Sequence, residues 1–397
     1  MRFAASMTTT AAVGRAIDEL IAGIDGQVTP GMVDVAFLFA SAHFEEDLLE
    51  VVERVGAALP NSVISGCTAE GTIGVEHEVE RSPSISLLAA SLQDVIVRPF
   101  FLSQADLERA DTVDAWERLI GVSPESSPAF IAFADPFSVD AHRLLNRLNE
   151  LFPEAPLIGG MASAGHAPGE NRLIAAGEIV REGVVGVSLA GEFRLSTVVS
   201  QGCRPIARTF IITRGEHNVI RELSGKPALE QLQTVLAGLS SEDERLARES
   251  LFLGRVIDER KQTFTRGDFL IHNLLGADRK TGAIGIGGQA RVGATVQFHV
   301  RDAQTADEDL HSLLRPHADS GVCGAMLFGC NGRGRRMWPQ PSHDIGVLRQ
   351  IIGPVPVAGF FCGGEFGPVG GRNFIHGYTA SIALFRKPPE KAARPEA

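Results

Sequence analysis

The sequence lacks the features that mark secreted, membrane-spanning or metal-binding chains. Its five cysteines are spaced singly with no CxxC pair, which indicates a reducing compartment rather than a disulfide framework. Without HxxxH or CxxC spacing, no metal site is predicted. No apolar run approaches the ~20 residues of a membrane helix, and the N-terminus has no long apolar core of a signal peptide. We therefore expect a cytoplasmic protein without metal, cofactor or membrane insertion.

The sequence also has fewer basic residues than acidic ones. The chain has 37 Lys and Arg against 48 Asp and Glu, a net charge of −11. Because phosphate contacts need a basic surface, this balance argues against a general nucleic-acid binder. The hydrophobic fraction of 44% and charged fraction of 21% are those of an ordinary globular chain. At 397 residues, two or three domains are expected.

One order of elements recurs three times: strand, helix, proline, strand, glycine-rich loop, strand. The predicted strands and helices of the three copies lie at 33–40, 44–58 and 84–92, then 129–134, 139–151 and 184–190, then 322–329, 345–352 and 379–385. The glycine-rich loops are GCTAEG (66–71), GGMASAG (159–165) and GFFCGGEFGPVGG (359–371). Matching positions of proline and glycine in all three copies indicate internal duplication.

These patterns predict an α/β fold. A strand follows each glycine loop closely, which favours mixed or antiparallel sheets over a purely parallel one, with helices packed on them. We predict a helical N-terminal extension at 1–30, a domain at 31–207, a second domain at 208–386 and a disordered tail at 387–397. The first domain would hold two copies of the repeated unit, and the second domain would hold the third.

An ordered set of motifs resembles the FIST family. They are GCTAEG, GGMASAG, SQGCRPIA (200–207), NVIRELSGKPALEQL (218–232), CNGRG (330–334), GFFCGGEFGPVGG and HGYTASIALF (376–385). The resemblance implies a FIST N-terminal domain at 31–207 and a FIST C-terminal domain at 208–386. Family members are proposed to be sensory modules for small ligands such as amino acids, often fused to signalling domains. We expect no such domain in this chain and signalling through a separate partner protein.

Charged residues in two of these motifs are candidate ligand contacts. Arg333 in CNGRG could hold a carboxylate through forked hydrogen bonds; alternatively, Asp344 or Glu365 satisfies it. Glu365 and Glu70 follow glycine-rich segments. Either could accept a ligand amino group or act as a base if buried, or only cap nearby amides. Arg333 and Glu365 together would suit a zwitterion.

Glycines and cysteines complete the predicted site. Gly66, Gly363 and Gly364 could present backbone amides to an anionic group, or form tight turns with nothing bound. Cys330 and Cys67 lie beside glycine in their motifs and could contact a ligand, or be buried structural cysteines. We expect the site where the two domains meet.

The sequence therefore predicts a sensory protein that binds an amino acid or a small carboxylate, and it favours binding over catalysis. One alternative is a thiol-dependent enzyme acting on an acyl or amide substrate, with Cys330 or Cys67 as the nucleophile. Another is a scaffold for protein interactions.

Overall fold

The chain divides into two compact units. The computed structural model describes residues 1–265 and 267–387. Unit 1 consists of Met1–Val199, His311–Ile375 and the chain from Thr379 onward, and unit 2 consists of Ser200–Leu310 and His376–Tyr378. The predicted tail at 387–397 lies outside the described residues, except for Lys387.

The described first half of the chain contains thirteen strands and five α-helices. In order they are β1 (Arg2–Thr8), α1 (Val13–Ile24), β2 (Val35–Ser41), α2 (Leu48–Ala58), β3 (Val63–Ala69), β4 (Gly71–Gly74), β5 (His77–Glu80), β6 (Ile85–Ser91), β7 (Val95–Leu102), α3 (Gln104–Arg109), α4 (Val113–Ile120), β8 (Ala129–Ala134), α5 (Ala141–Leu151), β9 (Leu157–Met161), β10 (Leu173–Ala175), β11 (Glu178–Val180), β12 (Val184–Gly191) and β13 (Arg194–Gln201).

The second half continues with more strands than helices. The elements are β14 (Cys203–Pro205), β15 (Phe210–Glu216), β16 (Val219–Leu223), β17 (Lys226–Pro227), α6 (Ala228–Ala237), α7 (Ser241–Glu249), β18 (Leu251–Val256), β19 (Phe269–Asp278), β20 (Ala283–Ile286), β21 (Thr295–Arg301), α8 (Ala303–Leu314), β22 (Val322–Cys330), α9 (His343–Ile352), β23 (Val357–Cys362), β24 (Glu365–Val369), β25 (Arg372–His376) and β26 (Thr379–Arg386).

The described strands of unit 1 form three sheets of the same design. Sheet 1 has the order β1-β6-β2-β3-β10-β11, sheet 2 the order β7-β12-β8-β9-β24-β25, and sheet 3 the order β13-β26-β22-β23-β4-β5. Each sheet is centred on one parallel pair, β2–β3, β8–β9 or β22–β23. An antiparallel strand, β6, β12 or β26, borders the first member of each pair.

The chain changes sheet immediately after each parallel pair. The hairpin β4–β5, which follows β3, joins sheet 3, and the hairpin β10–β11, which follows β9, joins sheet 1. The hairpin β24–β25, which follows β23, joins sheet 2. Each predicted glycine-rich segment is therefore the place where the chain crosses to another sheet.

Amphipathic helices cover the outer faces of the sheets. In α1, Ile17, Leu20 and Ile24 lie on one face and pack with residues of sheet 1, as the helical spacing of these residues predicts. Helices α3, α4 and α5 pack against sheet 2 in the same way. A capping box at Ser103 fixes the start of α3, because the Ser103 hydroxyl and the Asp106 carboxylate each accept a backbone amide of the other residue.

The inner faces of the three sheets share one hydrophobic core. Phe39 of β2, Phe133 of β8 and Phe328 of β22 meet there, with ring centroids 5.2 to 6.2 Å apart. These separations are those of favourable aromatic pairs. Apolar runs that are buried on both faces, such as VAFLFA in β2, therefore belong to the central strands of each sheet.

Three glycines occupy matching places in the parallel pairs. Gly66, Gly159 and Gly359 lie opposite Leu38, Ala132 and Leu327 in the register. A Cβ at any of the three would lie 1.7 to 1.9 Å from the carbonyl oxygen of the opposite residue. Because no side chain fits in that space, glycine is required for the backbones to approach so closely.

Unit 2 is a closed antiparallel barrel. Its described strands pair in the cycle β15-β16-β20-β19-β18-β21, and β21 returns to β15. Ala228 and Leu232 of α6 pack into the barrel core beside Ile212, Phe298 and their neighbours. Closure removes the exposed strand edges that an open sheet would leave.

The predicted class, an α/β protein with helices on mixed sheets, is confirmed. Two details differ from expectation. Residues predicted as part of an N-terminal extension form β1, which pairs with β6 over its whole length; its run of alanine and serine gives little strand signal. The third copy of the repeated unit lies in unit 1 with the first two, rather than with the strands from residue 208 onward.

Candidate functional site

The carboxyl ends of the three parallel pairs meet at one place in unit 1. The Ser163 hydroxyl, just after β9, accepts the amide of Glu70 at 3.0 Å and donates to the carbonyl of Phe361 at 2.5 Å. The Gly363 amide donates to Met161, and the Met161 amide to Gly364. We call residues 68–71, 161–165, 330–336 and 362–365 the junction. Carboxyl ends of parallel strands are frequent ligand positions in α/β sheets.

The structure brings most of the predicted site residues to the junction. Cys330 ends β22 and is half-buried, Gly363 is exposed, and Gly364 and Glu365 are buried. Glu70 lies at the surface of the junction, where its carboxylate pairs with Arg336 at 2.8 Å. All of these residues belong to unit 1.

Two predicted residues lie deeper, within β3. Gly66 lies within β3 and allows the close packing of β3 on β2, so it is part of a strand rather than a turn. Cys67 is fully buried in the central core, and burial raises the pKa of its thiol well above the ordinary value. Because a thiolate is the reactive form, Cys67 is unsuited to be a nucleophile. Cys330 therefore remains the candidate in the thiol-enzyme alternative.

Arg333 is a buried structural cation. Its side chain is 0% exposed, and its Nε and Nη2 donate to the two carboxylate oxygens of Asp344 at 2.6 and 2.8 Å. The guanidinium also lies 5.7 Å from the Trp338 ring centroid. This geometry favours the alternative in which Asp344 satisfies Arg333, because a ligand carboxylate would have to displace a bidentate, desolvated partner.

The buried Arg333–Asp344 pair acts on a second buried carboxyl, that of Glu78, whose pKa is also shifted. Burial and the negative charge of Asp344 raise the pKa of Glu78 to about 8, while Arg333 opposes that rise. Glu78 Oε1 accepts the amide of Ile345 at 2.8 Å, and Oε2 is buried without a hydrogen bond. Burial alone would raise the pKa of Asp344, but Arg333 outweighs burial and holds it far below the usual range.

Glu365 is the most perturbed residue of the junction itself. It is 0% exposed, and burial raises its pKa to about 8 although bonds from Thr379 favour the carboxylate. Oε2 accepts the Thr379 hydroxyl at 2.8 Å and the Thr379 amide at 3.2 Å. Oε1 is buried and accepts no hydrogen bond of normal geometry. Such a group is costly unless a ligand or a proton occupies it.

Cys330 lies beside this carboxyl. Interaction with the Cys330 thiol lowers the pKa of Glu365, although less than burial raises it. The Gly332 amide donates to Cys330 Sγ at 3.3 Å, and the charge of Arg333 also acts on this thiol. An amide donor, a cation and a carboxyl therefore surround a thiol at the edge of the junction.

Sequence reasoning missed three residues of the candidate site and its surroundings, namely Ser163, Thr379 and Glu78. Ser163 lies in GGMASAG, but nothing in that motif marks it as the link between segments. Thr379 opens the last strand, where its bond to Glu365 depends on the tertiary fold. Glu78 carries no sequence signal, because its pKa is raised by burial and by Asp344, which lies 266 positions further along the chain.

The described residues form no metal centre, and one surface groove among them lies away from the junction. Among residues 1–265 and 267–387, no group of three or more His, Cys, Asp or Glu is placed to hold a metal ion. An open groove of about 890 Å³ runs past Met1, Asp34, Asp94 and Ile96, away from the junction. No helix in the described part of the chain is both long and apolar enough to cross a membrane.

The fold and the junction define a three-sheet α/β protein with a buried polar site. Two family models match it in tandem, the FIST N domain over residues 34–226 and the FIST C domain over residues 228–368. The chain belongs to the FIST family, which confirms the resemblance.

The chain also aligns with whole proteins of known sequence. An uncharacterized protein of Mycobacterium tuberculosis is 36% identical over 388 residues, covering 97% of this chain and 100% of that protein. An uncharacterized protein of Mycobacterium bovis is 34% identical, covering 97% and 99%. A cyanuric acid hydrolase from A. caulinodans aligns over 97% of this chain and 99% of its own at 12% identity, but the TM-score of 0.31 is too low to bear on fold or function.

Proposed function

We propose that the chain is a sensory protein that binds a small polar metabolite, an amino acid or a small carboxylate, at the junction. The observation that carries this proposal is Glu365, a fully buried carboxyl whose two bonds from Thr379 both go to Oε2 and leave Oε1 without a partner of normal hydrogen-bond geometry. The FIST family is consistent with a sensory or ligand-binding role, and strand ends at a junction of sheets suit a small ligand.

Arg336 replaces Arg333 as the arginine available to a ligand. Its guanidinium donates to the Asn331 carbonyl at 2.6 Å and pairs with Glu70 at 2.8 Å, and the side chain is 42% exposed. An exposed ion pair of this kind contributes little to stability, so exchanging Glu70 for a ligand carboxylate is inexpensive. Arg336 and Glu365 are therefore the proposed contacts for the two ends of an amino acid.

The ionisation of Glu365 predicts how the affinity for the ligand changes with pH. With its pKa near 8, Glu365 is mostly protonated at neutral pH, so an ammonium ligand must expel that proton. Affinity would then rise about tenfold per pH unit until about pH 8. If the neutral carboxyl instead donates to a ligand carboxylate, affinity stays level below pH 8 and falls above it.

The test is a thermal-shift screen of amino acids and small mono- and dicarboxylates, followed by calorimetry of each hit across pH. A ligand at a hundred times its dissociation constant stabilises the folded protein by about 2.7 kcal/mol. Glu365→Gln removes the pH dependence, and the exposed Glu182→Gln is the matched control. If no compound shifts the transition at millimolar concentration, the proposal fails.

Signalling would pass through a separate protein partner in the cytoplasm. None of the described cysteines forms a disulfide, which suits a reducing compartment. Affinity capture from the native host, with and without a ligand found in the screen, tests the partner. Capture that is independent of ligand would favour the scaffold alternative.

A further inference from the structure

Cys330 differs from the other thiol of its strand. Cys330 and Cys323 both lie on β22 and are both partly exposed. Cys323 Sγ contacts the Gly321 carbonyl at 3.5 Å, whereas Cys330 accepts the Gly332 amide and interacts with Glu365. An amide donor stabilises a thiolate, and a carbonyl does not.

A second thiol stands next to Cys330. Cys330 and Cys362 are register partners in the parallel pair β22–β23, and their thiols interact electrostatically. Neighbouring strands lie about 4.8 Å apart, and cysteines bridged by a disulfide have Cα atoms about 4.4 to 6.8 Å apart. The pair is thus placed to form a disulfide, and the structure has no bond between the two sulfurs.

We propose that Cys330 is a hydroperoxide-reactive thiol, that Glu365 is the acid that protonates the departing oxygen, and that Cys362 is the thiol that resolves the oxidised sulfur. Three independent features converge on Cys330: the Gly332 amide, the buried carboxyl with an unbonded oxygen, and the in-register second cysteine. Acyl transfer would give no role to Cys362, which is why a peroxide is the favoured co-reactant.

The chemistry balances without any further reagent. The Cys330 thiolate attacks one oxygen of the hydroperoxide, the O–O bond breaks, and a sulfenic acid forms on Cys330. The leaving alkoxide or hydroxide takes the proton of Glu365 and departs as alcohol or water. Cys362 then attacks the Cys330 sulfur, and the sulfenic hydroxyl leaves as water with the Cys362 proton. The peroxide is reduced by two electrons as two thiols become one disulfide.

The second step should be the slower one. Burial raises the pKa of Cys362 well above the ordinary value, and the charges of Glu365, Cys67 and Cys330 add to that rise. Few Cys362 thiolates are therefore present to attack. The sulfenic acid on Cys330 should persist long enough to be trapped by dimedone.

The first step needs Cys330 as a thiolate and Glu365 as a neutral carboxyl, so that one of the two groups is deprotonated and the other is not. Arg333 from the following loop, Glu365 from β24 and Cys362 from β23 are among the charged and titratable groups that act on Cys330. The rate should therefore rise with pH as the first proton leaves and fall as Glu365 ionises. Glu365→Gln should lose the falling limb, which a merely structural role for Glu365 would not change.

The experiment exposes the full chain, without added ligand, to hydrogen peroxide and quantifies each cysteine by mass spectrometry after alkylation. We expect Cys330 to oxidise about tenfold or more faster than Cys323 and to be recovered as a disulfide with Cys362. Cys362→Ala should leave the dimedone adduct on Cys330. Glu365→Gln should slow the oxidation of Cys330 by about a hundredfold, a typical effect of a positioned acid.

Equal oxidation rates for Cys330 and Cys323 in the wild-type chain would overturn the proposal, and this comparison needs no variant to fold. An unchanged rate and pH profile in Glu365→Gln would overturn it as well. Because no ligand is added, failure here leaves the ligand-binding proposal standing, and failure of the ligand screen leaves this one standing.

Discussion

Replacing Glu365 with glutamine should change how the stability of unit 1 depends on pH. Burial raises the pKa of Glu365 to about 8 in the folded chain, whereas an unfolded glutamate titrates near 4.3. Folding therefore takes up a proton between these two values. Stability from this group is fully present below about pH 4.3 and is lost as pH rises toward 8.

The size of the effect follows from the two pKa values. Integrating proton uptake between pH 5 and pH 8 gives a loss of about 3–4 kcal/mol from this single group. Glutamine keeps an oxygen for Thr379 and cannot ionise. The variant should therefore match the wild type near pH 5 and exceed it in stability at pH 8. Glu78, which titrates in the same window, is present in both proteins and cancels in the comparison.

Tryptophan fluorescence isolates the relevant unit. Both tryptophans, Trp116 and Trp338, belong to unit 1, so urea unfolding followed by their emission reports unit 1 alone. Unfolding curves at pH 5, 6, 7 and 8 give the free energy difference between the two proteins. If that difference stays constant within about 0.5 kcal/mol, the raised pKa of Glu365 is refuted.

Two further predictions concern stability. Gly359→Ala forces a methyl group against the Leu327 carbonyl at 1.7 Å and should destabilise unit 1 by ~3 kcal/mol or more. The control is Gly346→Ala in α9. An added methyl group there meets nothing within 4 Å, so this variant should stabilise unit 1 by about 0.5–1 kcal/mol. Equal effects in urea unfolding would contradict the close strand approach. Arg333→Ala leaves Asp344 buried without its cation and should cost about 3–5 kcal/mol. Arg335→Ala, at an exposed site, should stay within about 0.5 kcal/mol of the wild type, and similar losses would argue against a buried ion pair.

The glycine-rich segments show how far sequence reasoning extends. Their recurrence predicts three related places in the chain, and the structure has one closely packed glycine at a matching position in each parallel pair. A turn at Gly66 is not found: GCTAEG runs largely through β3 and ends at β4, and Gly66 is packed against Leu38. A period-2 pattern of small residues looks the same in a loop and in a buried strand, so composition could not separate them.

Arg333 and Glu365 show what sequence reasoning could not predict about the candidate site. Their motifs single out both residues as candidate ligand contacts, and the alternative pairing of Arg333 with Asp344, eleven positions away, is also visible in the sequence. Their burial was not visible, because it depends on β5 and β26, which arrive from distant parts of the chain. The Glu78 contact to Ile345, for example, spans 267 positions.

The sequence by itself determined the apolar strands and amphipathic helices, the three-fold recurrence of their order, the positions where only glycine fits, and membership of the FIST family. These are local properties, written in side-chain periodicity and backbone freedom. Tertiary structure alone decided that each hairpin joins a neighbouring sheet, that the three strand ends meet at one junction, and that Glu365 and Glu78 are neutral near pH 7. Desolvation and charge pairing depend on residues hundreds of positions apart, and no local pattern encodes them.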